Sequence, residues 1–265
     1  MPEATAQTAL SCTGLHKGFG GVLAVNGATF SVPAGHVCAL IGPNGAGKST
    51  AVNLISGVLA ADSGTVLLGD TDITGWPANR VARAGLIRTY QLSREFGRLT
   101  VLENLMVTPM SQAGESLLSV FFRPRKVRAE ERLHLERALD TLSTFGLYDL
   151  RDNYASELSG GQKRLLELAR SVMAAPRVLL LDEPMAGINP ALIDQIGEHI
   201  VNLAATGVTI LMVEHNLGVV ERICDQVIVM AEGATLATGS MSELRADPAV
   251  VRAYLGGALS DRATG

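Results

Sequence analysis

Aromatic residues are scarce in this 265-residue chain, at 4 %, and charged residues reach only 18 %. A core without many rings has to be assembled from Leu, Val, Ile and Ala, and a hydrophobic share of 47 % supplies them. Such a composition excludes a disordered chain, which combines low hydrophobicity with high charge. Charge of one sign is missing too: 22 basic and 26 acidic residues leave a net charge of −4. The balance provides no global attraction to nucleic acid, and no nucleic-acid partner is expected. The cysteines are Cys12, Cys38 and Cys224. Their number is odd and their spacing fits no metal motif, so reduced, inert thiols in the cytosol are expected. No apolar run approaches the roughly 18 residues of a membrane span. The most apolar stretches, 116–122 and 208–213, are too short. Residues 1–8 lack a basic segment followed by an apolar one, so no secretory signal is expected. The expectation is a soluble protein; if it serves transport, another chain must form the channel.

What is present is an alternation of strands and helices. Residues 10–15 and 28–32 read as short strands. Residues 37–41 form a continuous apolar run between Gly35 and Gly42, the pattern of a buried parallel strand. Residues 48–56 follow as a helix ended by Gly57; Asp62-Ser63-Gly64 reads as a turn before a strand at 65–68. Further buried strands are expected at 177–182, 208–213 and 226–230. An amphipathic helix at 190–205 lies between the first two, and a turn at Glu232-Gly233 follows the last. Strands separated by helices predict an α/β fold with a mostly parallel sheet covered on both faces. Between about 93 and 175 no convincing strand occurs. Residues 127–145 have helical period, with Leu133, Leu139 and Leu142 as apolar positions, and 162–174 read as another helix. This region is expected to be a helical subdomain inserted into a domain spanning 9–257, with 1–8 and 258–265 as loose tails.

Gly42-Pro43-Asn44-Gly45-Ala46-Gly47-Lys48-Ser49 fits G-x-x-x-x-G-K-[ST], and it follows an expected strand and opens an expected helix. The glycines let backbone amides curl around phosphate oxygens. Lys48 supplies a point charge for the β- and γ-phosphates. The Ser49 hydroxyl, with Thr50 beside it, is placed for Mg²⁺, and the helix N-terminus adds its positive end. A chance glycine-rich turn is the competing account, and the strand–loop–helix context disfavours it. The loop alone does not separate kinase, GTPase and transporter ATPase. A second signal is the strand 178–183, Val-Leu-Leu-Leu-Asp-Glu, which ends in two carboxylates. Ligands bind beyond the carboxyl ends of parallel strands. There Asp182 can hold Mg²⁺ through water, and Glu183 can polarise the attacking water as general base. A helix N-cap is the alternative, and Pro184 makes it a fair one; the phosphate loop upstream favours catalysis.

Leu158-Ser159-Gly160-Gly161-Gln162 precedes a helix. It reads as a second anion site or as a capping turn with Ser159 as N-cap. The run resembles the signature of ABC ATPases, and the resemblance covers nearly the whole chain. It implies a P-loop NTPase core with a mostly parallel sheet, an N-terminal antiparallel β region and an inserted helical subdomain. It also implies ATP and Mg²⁺ as the cofactors. Within Lys17-Gly18-Phe19-Gly20-Gly21, Phe19 looks like the residue that stacks on adenine, standing where Tyr is commoner, and Val25 would add an apolar contact. Gln91 is similar to the Q-loop glutamine, which senses Mg²⁺ and the nucleophilic water and faces the membrane subunit. Met185 to Pro190 sits where the D-loop does, with Asn189 replacing its usual Asp. His215 matches the switch histidine that contacts the γ-phosphate. His16, His36, His134 and His199 carry no site reading. In this family the signature of one subunit caps ATP on another. The resemblance therefore implies a head-to-tail sandwich, with Ser159, Gly160, Gly161 and Gln162 reaching the nucleotide in trans.

The segments 19–25, 85–91, 100–105 and 186–190, the charged insertion at about 110–137 and the ending 253–256 are similar to the ATP-binding subunits of branched-chain amino-acid importers. That similarity implies transmembrane permease subunits, a second ATPase subunit, identical or different, and indirectly a substrate-binding protein. The place implied is cytoplasmic, on the inner face of the cell membrane. Relatives in urea uptake and lipopolysaccharide export remain open, because an ATPase subunit does not touch the cargo. A soluble ABC ATPase of DNA repair or translation would carry a long coiled coil or tandem ATPase domains, which this sequence lacks. An ordinary P-loop kinase or GTPase is disfavoured by residues 158–162 and His215, and a non-hydrolysing sensor by Glu183.

Overall fold

The computed structural model describes residues 7–89, 96–109 and 124–253. The chain divides into two compact units, one of Met1–Arg88 with Arg177–Gly265 and one of Thr89–Pro176. The first opens with a hairpin of two long strands, β1 (Thr8–Phe19) and β2 (Val22–Pro33). Gly20 and Gly21 close it with φ of 53° and 93°, the positive pair that a type I′ turn demands. The sequence reading found residues 10–15 of β1 and 28–32 of β2 and missed the tip of the hairpin, where Gly and Asn blur the alternation. It also set residues 1–8 aside as a loose tail. For residues 7 and 8 that is corrected: Thr8 pairs with Pro33, and the Gln7 carbonyl accepts from Ala34 N–H at 2.7 Å. With β4 (Ser63–Leu68) and β5 (Thr71–Asp72) the hairpin forms an antiparallel sheet in the order β2-β1-β4-β5.

The other sheet carries the chemistry. It comprises β3 (Val37–Ile41), β6 (Leu86–Arg88), β7 (Val178–Asp182), β8 (Thr209–Val213), β9 (Gln226–Ala231) and β10 (Ala234–Gly239), in the order β10-β9-β3-β8-β7-β6. Every pairing is parallel except β9 with β10. β3, β7 and β8 are buried at each residue, which is why they read as unbroken apolar runs. β6 and β10 escaped the sequence reading. The first is three residues long, and the second is a half-exposed edge of small residues. Helices α1 (Lys48–Ile55), α2 (Ala78–Arg83), α6 (Pro190–Ala205), α7 (Leu217–Ile223) and α8 (Met241–Ala246) complete this unit. One apolar cluster runs through Leu10, Phe30, Leu40, Val52, Leu68 and Leu180, so both sheets and α1 share a core.

The second unit holds α3 (Val101–Met106), α4 (Pro124–Thr144) and α5 (Gly160–Met173). Among its described residues the only β feature is an isolated bridge between Thr100 and Tyr154. Leu142, Phe145, Leu147 and Leu166 are fully buried there. Leu133, expected on the apolar face of α4, is 63 % exposed; the inward face is carried by Ala138 and Leu142 instead. Among the described residues no helix is long and apolar enough to cross a membrane.

Candidate nucleotide-binding and catalytic site

β3, β8 and β7 are neighbours, with Leu40 and Asp182 both level with Val213. The loops that leave their carboxyl ends therefore share one edge of the sheet, the edge where parallel α/β sheets bind ligands. The loop after β3 is Gly42 to Gly47. Its glycines Gly42, Gly45 and Gly47 have φ of 153°, 77° and 93°. A Cβ on Gly42 would lie 2.1 Å from the Met230 carbonyl oxygen, and one on Gly47 would lie 2.3 Å from that of Ala24. The loop is thus gripped between β9 and β2. Hydrogen bonds from Gly233 N–H to the Ala46 carbonyl (3.2 Å) and from Asn26 N–H to the Gly233 carbonyl (2.8 Å) hold it there. Gly47 caps α1 without a side-chain bond, which leaves the helix's first amides for an external anion.

Lys48 is buried. Its ammonium donates to the carbonyls of Gly42 (2.8 Å) and Pro43 (2.9 Å), folding across the loop. Burial lowers its pKa from the ordinary value, and the Glu183 carboxylate opposes that shift. Asn44, Gly45 and Ser49 are exposed, and Pro43 and Thr50 partly so, so the loop's outer face and the first turn of α1 are open to a ligand.

Beyond β7, Asp182 is buried and Glu183 begins a turn with φ of 49°. A residue with a side chain loses about 1–3 kcal/mol in that region, so the surroundings must hold it. Glu183 N–H donates to the Val213 carbonyl at 3.0 Å, which extends the β7–β8 ladder by one residue. The extension brings Glu183 beside the exit of β8, where His215 Nε2 lies 3.0 Å from Glu183 Oε1. An ionised carboxylate only accepts, so Nε2 carries the hydrogen in this pair. The two residues assigned to the water and to the γ-phosphate are thus in direct contact.

Arg88 was missed as a site residue. Its guanidinium donates to Asp182 Oδ2 at 2.8 Å, to Asn53 Oδ1 at 2.6 Å and to the Ser56 hydroxyl at 3.2 Å. It ties the end of β6 to α1 and to the carboxylate expected near Mg²⁺. An arginine next to a loop has no signal in the sequence; its partners come from two distant segments, α1 with its C-cap and the end of β7. Glu214 was missed for the same reason. It is a buried carboxylate next to His215.

Phe19 lies at the hairpin tip, 47 % exposed, with Lys17 Nζ 5.7 Å from its ring centroid. A stacking surface is available there. Val25 corrects an expectation: it has no exposed surface and sits in the core cluster, so in this structure it offers nothing to a base. Asn189 caps α6, its Oδ1 accepting from Ala191 N–H at 3.0 Å, with Pro190 in the first turn. Gln91 lies outside the described residues.

In the second unit Ser159 is the N-cap of α5. Its hydroxyl accepts from Gln162 N–H (3.3 Å), and the Gln162 side chain accepts from Ser159 N–H (2.9 Å), a complete capping box. The capping account of this segment is therefore correct as local structure. It does not explain the glycines: a Cβ on Gly160 would meet nothing within 4 Å. Among the described residues no group of three or more His, Cys, Asp or Glu could cage a metal.

The family model described as ABC transporter matches residues 25–186. The chain belongs to the ABC transporter family. A second family model, described as branched-chain amino acid ATP-binding cassette transporter, matches residues 234–259. The high-affinity branched-chain amino acid transport ATP-binding protein BraF of Pseudomonas aeruginosa is 39 % identical over 248 residues, 93 % of this chain and 97 % of that protein. LivG of Escherichia coli K12, named for the same transport, is 39 % identical over 252 residues, 95 % of this chain and 99 % of its own length. Among solved structures, an ATP-binding cassette of an ABC transporter in its ADP conformation is 37 % identical with a TM-score of 0.80, covering 94 % of this chain and 99 % of that one. In this ABC transporter subunit the P-loop core, the antiparallel N-terminal sheet and the helical segments are those of its solved relatives.

Proposed function

We propose that this chain binds and hydrolyses ATP to drive an ABC importer for branched-chain amino acids. The observation that carries the hydrolytic part is the Glu183–His215 contact of 3.0 Å at the sheet edge that also bears the phosphate loop. A carboxylate there accepts the proton of the attacking water, and the imidazole donates toward the γ-phosphate. Lys48 leaves its two loop carbonyls for the β- and γ-phosphates, exchanging neutral acceptors for anionic ones. Phe19 offers its exposed face to adenine. The amides of Gly45 to Ser49 receive the phosphate oxygens.

The donor set fits Mg²⁺, a hard cation held by one or two protein oxygens with phosphates completing its shell. Ser49 and Asp182 are those oxygens, with Gln91 as a third, and Mg²⁺ when bound draws negative charge from the phosphates. The absence of a protein cage among the described residues suits a cation that arrives with its nucleotide.

Ser159, Gly160, Gly161 and Gln162 supply the second half of each site in trans. Gly160 supports this, because among the described residues a Cβ there would meet nothing within 4 Å. The domain runs from residue 7, just ahead of β1, to about 257, with the helical subdomain from about 93 to 175 facing a permease at the inner membrane face. The cargo reading is supported by the match at residues 234–259 and by the names of BraF and LivG.

Glu183→Gln should retain ATP affinity and lose turnover by on the order of 10³-fold, the range for a general base. Lys48→Ala should lose affinity for ATP. Undiminished turnover in the first variant or undiminished affinity in the second would sink the assignments. Cells deprived of this chain should lose uptake of radiolabelled leucine and recover it only with the wild type. Normal leucine uptake together with defective urea uptake would redirect the cargo.

A further inference from the structure

Glu214 occupies the first position beyond β8 and is 4 % exposed. Its Oε1 accepts from Met185 N–H at 2.9 Å, and its Oε2 accepts from His215 N–H at 3.0 Å and Asn216 N–H at 3.2 Å. Met185 belongs to the turn that starts with Glu183, and His215 and Asn216 belong to the turn after β8. One carboxylate therefore fastens the two turns whose side chains meet as Glu183 and His215.

We propose that Glu214 is a positioning residue for ATP hydrolysis: it locks the Glu183 turn and the His215 turn into one register. The proposal rests on the reading of Glu183 and His215 as the hydrolytic pair. Burying a carboxylate is costly unless it is hydrogen-bonded, and a well-packed apolar residue often serves stability as well or better. What the carboxylate adds is direction: three charge-assisted bonds to backbone amides of two separate loops. The Glu183 turn needs such a restraint. Its φ of 49° is unfavourable for a residue with a side chain. Within the turn, Ala186 N–H donates to the Glu183 carbonyl at 3.1 Å. Glu214 supplies the hold from outside. It also keeps His215 from moving independently of Glu183, since the backbone amides of positions 185 and 215 end on the same side chain.

Glutamine at 214 would have a single oxygen for three donors and would turn an NH₂ against an amide N–H. Aspartate would keep the charge but lose reach. In the full chain, Glu214→Gln should keep ATP affinity and KM while kcat falls on the order of 10²-fold, the effect of a displacement of about 1 Å at a reacting group. Hydrogen exchange at the amides of Met185, His215 and Asn216 should quicken, while the amides within β7 and β8 keep their protection. Glu214→Asp should fall between wild type and Glu214→Gln in kcat, and it carries the same comparison if the glutamine variant does not fold. Wild-type kcat in either folded variant would overturn the proposal. So would a kcat loss matched by lost ATP affinity and faster exchange throughout β7 and β8, which marks general destabilisation. Failure of the functional reading looks different: turnover would be absent from the wild type or indifferent to Glu183→Gln.

Discussion

Two glycines separate what the fold requires from what a partner requires. Gly47 combines a φ of 93° with a would-be Cβ 2.3 Å from the Ala24 carbonyl. Alanine there adds left-handed strain and an overpacked contact, and should cost about 3 kcal/mol or more of stability. Urea unfolding of Gly47→Ala checks this, and a midpoint equal to wild type would refute it. Gly160 is the contrast, with open space around its would-be Cβ in the first turn of a helix. Gly160→Ala should be as stable as wild type or more stable by about 0.5–1 kcal/mol, yet should lose ATP turnover because the added methyl group intrudes on the nucleotide of a facing subunit. Full turnover would mean that the glycine serves neither fold nor partner. Phe19 was legible as a residue because its neighbours formed a motif; Val25 was expected to add an apolar contact to the base, and its burial in the core could not be read from the sequence, since burial is a property of what a strand packs against.

At the scale of elements, the segment 100–105 illustrates how a family resemblance turns into physics. Thr100 caps α3 through a capping box with Glu103, the Thr100 hydroxyl accepting at 3.1 Å and the Glu103 carboxylate accepting at 2.7 Å. Asn104 is fully buried. Its Oδ1 accepts from Phe96 N–H at 2.9 Å, and its Nδ2 donates to the carbonyls of Phe96 (3.1 Å) and Thr100 (2.9 Å). The side chain thereby replaces secondary structure for the loop that enters α3. Asn104→Leu would strip the Phe96 N–H of its acceptor, whereas the carbonyls of Phe96 and Thr100 keep the N–H groups of Leu99 and residue 104, so a loss of about 1–3 kcal/mol is expected in thermal unfolding. Exchange at the amide of Phe96 should rise with it, and an unshifted midpoint would show that the loop does not depend on Asn104. The signature segment makes the same point in reverse. Its capping box was legible as S-x-x-Q, but the box is local and says nothing about the glycines beside it.

The whole chain is one half of a machine if the signature serves another subunit. Its phosphate loop, Glu183 and His215 lie in the unit of Met1–Arg88 with Arg177–Gly265, whereas Ser159 to Gln162 lie in Thr89–Pro176. Purified Glu183→Gln protein should sediment as a monomer without nucleotide and as a dimer with ATP and Mg²⁺, since only ATP supplies the γ-phosphate that both halves would grip. A dimer that ignores nucleotide would contradict this. The sequence by itself made the parallel core, the phosphate loop and the acidic end of one strand legible, because buried strands and glycine loops leave short-range patterns; the histidine was picked out only by the resemblance to ABC ATPases. Only the tertiary structure decided that Glu183 touches His215, that Arg88 holds Asp182, that Val25 is covered and that Glu214 joins two loops. The Glu183 and Glu214 contacts depend on β7 lying beside β8, and the Arg88 contact on β6 lying beside β7, in an order that the chain does not follow; contacts between residues so far apart in sequence have no local signature.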